Sequence, residues 1–124
     1  MDVTPIIPAD RQVIDAYGAA GFRVSGVAYE GAIIVFPDRT LSWPAATAGE
    51  ITFENLKPVI EHGGVEILLL GCGRRMRPVP APLRHALRQA GIVVDAMNTG
   101  AACRTYSVLL AEERRVAAAL LPAG

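Results

Sequence analysis

Short apolar runs separated by turn residues mark the first part of the chain, and this pattern predicts strands. Residues 22–29 form one predicted strand with Phe22, Val24 and Ala28 on the same face, and the turn residues Glu30 and Gly31 join it in a hairpin to a second strand. The predicted strands, in chain order, are a weak one at 12–17, then 22–29, 32–36 and 40–43, the last ended by Pro44.

The period of the apolar residues changes near residue 52, where Phe53, Leu56 and Ile60 recur at helical spacing. Pro58 is tolerated only in the first turn of a helix, so Asn55 is the predicted N-cap. Gly63 and Gly64 end this helix, because glycine readily adopts the left-handed conformation found after helices.

The rest of the chain alternates between strands and helices. Strands are predicted at 65–70, 92–97 and 116–121. One helix ends at Gly91 and has an apolar stripe made of Leu83, Ala86, Leu87 and Ala90. Another helix begins after Asn98 or Thr99, and its apolar side holds Ala102, Tyr106, Leu109 and Leu110. The order α-β-α-β-α-β after an antiparallel region predicts parallel strands joined by right-handed crossovers. We therefore expect an α/β fold in a single domain, residues 1–124, with a β-rich part at 1–51 and an α/β part at 52–124.

Composition narrows the class of protein. The chain has 124 residues and is 52% apolar, which is enough for one core and excludes a disordered chain. No apolar run approaches the roughly 18 residues of a membrane-spanning helix. Twelve basic residues balance twelve acidic ones, which disfavours a nucleic-acid-binding protein. Asp2, Asp10 and Arg11 do not form a secretory or transit signal, so a cytoplasmic location is predicted.

Two segments follow predicted parallel strands, at the edge of the sheet where α/β proteins bind ligands. They are residues 71–77 and 98–104, and they share one edge if their strands are neighbours. From residue 67 to 94 there are five arginines and no acidic residue. Gly71, Cys72, Gly73, Arg74 and Arg75 are therefore candidates for an anion site. The alternative is that the glycines form a tight turn and that the arginines only solvate the surface; the Gly-x-Gly pattern lacks the third glycine of a dinucleotide fingerprint.

The second segment begins a helix with the small residues Gly100, Ala101 and Ala102. Cys103 lies in the first turn, where the helix dipole and Arg104 could lower the pKa of its thiol. One hypothesis is a reactive or redox thiol that pairs with Cys72 across the shared edge; the alternative is a buried cysteine that only packs.

No metal or catalytic site is predicted. Cys72, Cys103, His62 and His85 lack the spacing of zinc ligands, and neither histidine is placed to act as a base for a cysteine. No cofactor is predicted either.

Three parts of the chain resemble a small family of uncharacterised bacterial and archaeal domains. They are residues 68–73, LLLGCG, the helix between Pro78 and Gly91, and above all residues 97–110, MNTGAACRTYSVLL. The family includes the mitochondrial complex I (NADH:ubiquinone oxidoreductase) assembly factor 3. The resemblance implies a three-layer α/β/α sandwich with a mixed central sheet and no established enzymatic activity. It also implies that the mitochondrial members act through protein contacts. Most members have a residue other than cysteine at the position of Cys72, usually threonine.

These observations predict a non-enzymatic interaction or assembly domain that works through the shared edge. Its arginines would meet an acidic protein partner, and Asn98, Thr99 and Arg104 would order the edge. The alternative is a protein that binds a small anionic ligand, or a minor enzyme, at the same edge. Neither nucleic acid nor membrane embedding is expected, and the oligomeric state is left open.

Overall fold

The computed structural model describes residues 10–43 and 51–123. Within them, a five-stranded sheet has the order β5-β4-β8-β6-β7, and a three-stranded sheet has the order β1-β2-β3. The strands are β1 Ile14–Tyr17, β2 Gly21–Val24, β3 Val27–Glu30, β4 Ile33–Val35, β5 Thr40–Ser42, β6 Ile67–Gly71, β7 Val93–Met97 and β8 Val116–Leu120. The helices are α1 Lys57–His62, α2 Ala81–Gln89 and α3 Thr99–Ala111. The prediction of a mixed α/β fold is confirmed.

The predicted parallel strands are also confirmed. β6 pairs in parallel with β7 and with β8, so that Gly71 lies opposite Met97 on one side and Leu120 on the other. β4 pairs antiparallel with β8 and with β5, which makes the sheet mixed. All five residues of β8 are buried, because this strand lies at the centre of the sheet with both faces covered.

Alternate residues of each central strand pack into two separate apolar clusters, one on each face of the sheet. Leu68 and Leu70 of β6 pack with Leu83 and Leu87 of α2, in the cluster that also holds residues of α1. Leu69 packs on the opposite face with residues of α3 and of β2. The resulting arrangement has three layers, and the layer on the α3 side also contains the three-stranded sheet.

The predicted hairpin between residues 22–29 and 32–36 is wrong. Residues 22–29 are themselves a hairpin, because Ser25 and Gly26 both have positive φ, 47° and 82°, as a two-residue type I′ turn requires. Ala28, predicted to share a face with Phe22, is exposed on the second strand of this hairpin. Residues 33–35 belong to the five-stranded sheet instead.

The helices begin and end close to the predicted residues, with one difference. Asn55 is not the cap of α1: it exchanges hydrogen bonds with Thr52, whose N–H donates to Asn55 Oδ1 at 2.9 Å, while the Asn55 N–H donates to Thr52 Oγ1 at 3.1 Å. These bonds join Thr52 to the middle residue of a 3₁₀ turn at Glu54–Leu56, and α1 follows this turn with Pro58 near its start. Gly63 ends α1 with φ of 79°, as predicted.

Two further predictions concern the ends of elements. In α2 the apolar stripe is shorter than predicted, since Ala90 lies beyond the helix and is exposed. Pro44, predicted to end β5, lies outside the described residues.

Among the described residues, no helix is long and apolar enough to cross a membrane.

Candidate functional site

The two segments that the sequence places after parallel strands meet at one rim of the five-stranded sheet. The Cys72 N–H donates to the carbonyl of Met97 at 2.9 Å, and the Thr99 N–H donates to the carbonyl of Gly73 at 2.8 Å. The end of β6 is therefore bonded directly to the start of α3. The prediction that these segments share an edge is confirmed, because β6 and β7 are neighbours.

Thr99 fastens this junction from inside the protein. It is fully buried, and its hydroxyl accepts from the Gly73 N–H at 2.9 Å and donates to the Leu121 carbonyl at 2.6 Å. Its O–H donor and one of its two acceptor lone pairs are used inside the protein, and the side chain is not exposed at the surface. Thr99 thus joins β6, α3 and the residue after β8.

Gly71 allows the helix to come this close to the strand. A Cβ at this position would lie 2.7 Å from Leu120 Cδ2 and 3.1 Å from the Cα of Thr99. Gly73 has φ of 86°, a left-handed conformation that favours glycine. Gly71, the last residue of β6, therefore serves the close packing of α3, and Gly73 serves the turn that follows the strand.

The start of α3 is closed rather than open to a ligand. Asn98 is the N-cap, as predicted, and its side chain accepts from the Ala101 N–H at 2.8 Å. A Cβ on Gly100 would lie 2.7 Å from the hydroxyl of Tyr17, so β1 covers this first turn. Arg104 is exposed beside Tyr17, and with Cys103 it lines a shallow depression of its own, away from the 71–77 segment.

Cys103 does not have the low pKa that the helix dipole suggested. Burial raises the pKa of its thiol to about 11, and the opposing effect of the Arg104 charge is smaller. Cys72 and Cys103 lie in different apolar clusters on opposite faces of the sheet, and both are free and buried. The structure therefore contradicts the hypothesis of a redox pair and favours packing for both residues.

His62 lies at the other end of the sheet from this rim, which agrees with its exclusion as a base for Cys103. Its ring stacks on Phe36 with centroids 4.4 Å apart, its Nδ1 accepts from the Gly64 N–H at 3.2 Å, and its Nε2 lies 2.9 Å from Asp38 Oδ1. The hydrogen bond from His62 is the main reason that the pKa of Asp38 is lowered.

Residues 72–77, which we call the arginine loop, form the open part of the rim. Arg74, Arg75 and Arg77 are exposed, and none of them has an ion pair with a described residue. The loop surrounds an open cavity of about 580 Å³, whose remaining walls are Leu121 and Pro122. Within residues 10–43 and 51–123, no carboxylate lines it. The cavity therefore favours anionic groups.

The thiol of Cys72 helps to hold the arginine loop. Its Sγ lies 3.8 Å from the carbonyl of Leu70 and 4.0 Å from the carbonyl of Arg77, so it links the first and last residues of the loop. Together with the bonds between Gly73 and Thr99, this contact fixes the loop at both ends. The arginines consequently project from a backbone that is positioned before any partner arrives.

A smaller apolar cleft of about 110 Å³ adjoins the cavity and shares Cys72, Arg77 and Leu121 with it. Its other walls come from β6, from the start of α2 and from the segment between the loop and α2. Sequence reasoning did not find this cleft, since its residues come from separate parts of the chain. Leu121 and Pro122, which complete the larger cavity, carry no local signal either.

The chain is similar to known proteins over most of its length. The model of the family described as "Protein of unknown function (DUF498/DUF598)" matches residues 14–121. An uncharacterized protein of Rhodobacter capsulatus is 34% identical over 110 residues, which are 88% of this chain and 83% of that protein. NADH dehydrogenase [ubiquinone] 1 alpha subcomplex assembly factor 3 of Danio rerio is 33% identical over 111 residues, 89% of this chain but only 64% of that protein.

The fold is also found in a solved structure. A crystal structure described as an outer membrane protein from Bartonella henselae matches with a TM-score of 0.85 and 39% sequence identity, over 96% of this chain and all of that chain. These similarities confirm the resemblance seen in the sequence and leave the activity of the rim to be argued from its geometry.

Proposed function

We propose that this chain, which belongs to the DUF498/DUF598 family of proteins of unknown function, is a non-enzymatic interaction domain that binds an acidic surface of a partner protein. One observation carries the proposal: three exposed arginines surround a cavity, and none of the described residues that line it carries a carboxylate. Arginine is suited to this role, because its guanidinium can bind a carboxylate through two parallel hydrogen bonds.

The rim's chemistry supports binding rather than catalysis. The lining of the cavity offers cations, a buried thiol and apolar side chains. In the part of the chain that the structure describes, no histidine or carboxylate lies in this lining to act as a general base. The similarity to the Danio rerio assembly factor supports a role in protein contacts, although this chain spans less than two thirds of that protein. The membrane complex that its name mentions is not assigned to this chain.

A small anionic ligand at the same cavity is the second candidate. The volume of about 580 Å³ lies within the range of small-molecule sites, roughly 300–1,000 Å³. Titration with inorganic phosphate and with ATP at low salt, followed by amide NMR shifts, distinguishes the two candidates. Saturable shifts of the arginine loop by either compound favour this second candidate.

The proposal is tested by affinity capture from the native host with the wild type, Arg74→Glu and Arg88→Glu. Arg88 is an exposed arginine of α2 outside the lining of the cavity, so its reversal changes net charge equally and serves as the matched control. We expect Arg74→Glu to lose partners that the wild type and Arg88→Glu retain. Capture of the same proteins by all three variants would rule out the arginine loop as the docking site. The cytoplasmic location remains part of the proposal, and fractionation of host cells checks it.

A further inference from the structure

The arginine loop and the adjoining apolar cleft form one continuous surface, because Cys72, Arg77 and Leu121 belong to both. One side of this surface is cationic and open, and the other is apolar and narrow. A partner that covers both must therefore present carboxylates and an apolar group close together.

The size of the cleft limits the apolar group. An apolar cavity of about 150 Å³ accommodates benzene, so one of 110 Å³ accommodates an aliphatic side chain and is too small for an indole. Its walls include Leu70, Val79 and Leu83, which offer no hydrogen bond to a polar occupant. Leucine, isoleucine or valine is the matching residue.

The surrounding charge limits what flanks that side chain. Between residues 67 and 94 the chain carries five arginines and no acidic residue, and this stretch supplies the loop, the cleft wall from Val79 and the whole of α2. The arginines that line the cavity would repel a cationic segment, and a neutral segment would leave their guanidinium groups without charged partners. Charge complementarity therefore selects an acidic segment.

We propose that the rim binds an acidic segment of a partner protein through one aliphatic anchor residue, which enters the cleft beside Leu121 while flanking carboxylates bind Arg74 and Arg75. This inference rests on the proposed function and specifies its partner. The anchor supplies affinity by burying apolar surface, and the carboxylates fix its position and speed the encounter. The arginine loop is held in advance by Cys72 and Thr99, so little ordering is needed on binding.

The test uses two synthetic peptides, Glu-Glu-Leu-Glu-Glu and Glu-Glu-Ser-Glu-Glu, each capped at both ends. They have the same charge and differ only in the anchor. Binding to the full chain is followed by amide NMR shifts at low salt, up to about 1 mM peptide. We expect the leucine peptide to shift residues of the arginine loop together with Val79 and Leu83, and the serine peptide to bind about tenfold more weakly or worse.

Two protein variants complete the design. Val79→Phe fills the cleft without changing charge, and it should reduce binding of the leucine peptide to the level of the serine peptide. Arg74→Glu should weaken binding of both peptides. The comparison of the two peptides on the wild type needs no variant, so the test holds even if Val79→Phe does not fold.

The outcomes separate this inference from the proposed function. Equal binding of the two peptides, or shifts on another surface, would overturn the aliphatic anchor while leaving an arginine-dependent interaction in place. If neither peptide binds while capture of host proteins still depends on Arg74, the aliphatic anchor is likewise overturned and the arginine-dependent interaction stands. If capture does not depend on Arg74, the proposed function fails and the anchor fails with it.

Discussion

The junction between β6 and α3 and the arginine loop lie side by side at one rim, yet they use their polar groups in opposite ways. At the junction, Thr99 is fully buried and its hydroxyl has both a donor and an acceptor partner. In the loop, Arg74 and Arg75 are exposed and have no ion pair with a described residue. The junction therefore stabilises the fold, and the arginine loop is available to a partner.

This difference shows why a segment after a strand is not by itself a site. Gly71, Gly73, Asn98 and Thr99 have the residue types of a ligand-binding edge, but their geometry serves the close approach of α3 to the sheet. The arginines depend on that approach, since Gly73 is both a loop residue and a partner of Thr99. Substitutions at the junction should thus change stability, and substitutions of the exposed arginines of the loop should change binding alone.

The largest effect is expected for Thr99→Val. This change keeps the shape of the side chain and leaves the Gly73 N–H and the Leu121 carbonyl without the hydroxyl, which should lower the free energy of unfolding by about 2–4 kcal/mol. Urea denaturation measures this change in the free energy of unfolding. The control Thr99→Ser keeps the hydroxyl and should cost about 1 kcal/mol for the lost methyl group. Equal losses for both variants would mean that the hydroxyl is not what fastens the junction.

Gly71→Ala is expected to have the next largest effect. Its Cβ would lie 3.1 Å from the Cα of Thr99, so the start of α3 must move, at a cost of about 1–3 kcal/mol. Gly18→Ala is the matched control, because a Cβ there meets nothing within 4 Å. It should stay within about 0.5 kcal/mol of the wild type. Thermal or urea unfolding of both variants measures the difference in the free energy of unfolding. If Gly71→Ala is as stable as the wild type, α3 does not approach the strand as closely as described.

Ionisation of the Cys103 thiol should affect stability only in alkaline solution. Its pKa is raised from 9.0 to about 11, so the unfolded chain loses the thiol proton at a lower pH than the folded protein does. Its contribution to stability is complete below about pH 9 and is lost as the pH rises through 11. In Cys103→Ala the decline of stability between these pH values should be shallower. An unchanged slope in urea denaturation across this range would show that the thiol is not protected by burial.

The smallest effect on stability is expected for the double variant Arg74→Glu, Arg75→Glu. Both side chains are exposed, so the free energy of unfolding should change by less than about 0.5 kcal/mol. The same variant should lose the arginine-dependent partners. A loss of stability comparable to that of Thr99→Val would contradict the division of the rim into a structural and a binding part.

The sequence by itself determined the elements of the second half, because each has a strong local signal. The helical spacing of Leu83 and Leu87, the N-cap Asn98 and the left-handed Gly63 all act within a few residues of themselves. The sequence predicted a shared rim on the condition that β6 and β7 are neighbours, and the structure meets this condition. Alternation alone does not decide it, because β7 and β8 also follow one another and do not pair.

Tertiary structure alone decided the pairing of the first strands and the use of the rim. The segment 33–35 pairs locally with β5, and on its other side it pairs with β8, more than 80 positions away. All three of its residues are buried in that position. The opposite faces of Cys72 and Cys103, the burial that raises the pKa of Cys103, and the cleft beside Leu121 all arise from contacts between distant segments. Local sequence specifies dihedral angles and periodicity, whereas burial and cavities exist only after separate segments have packed together.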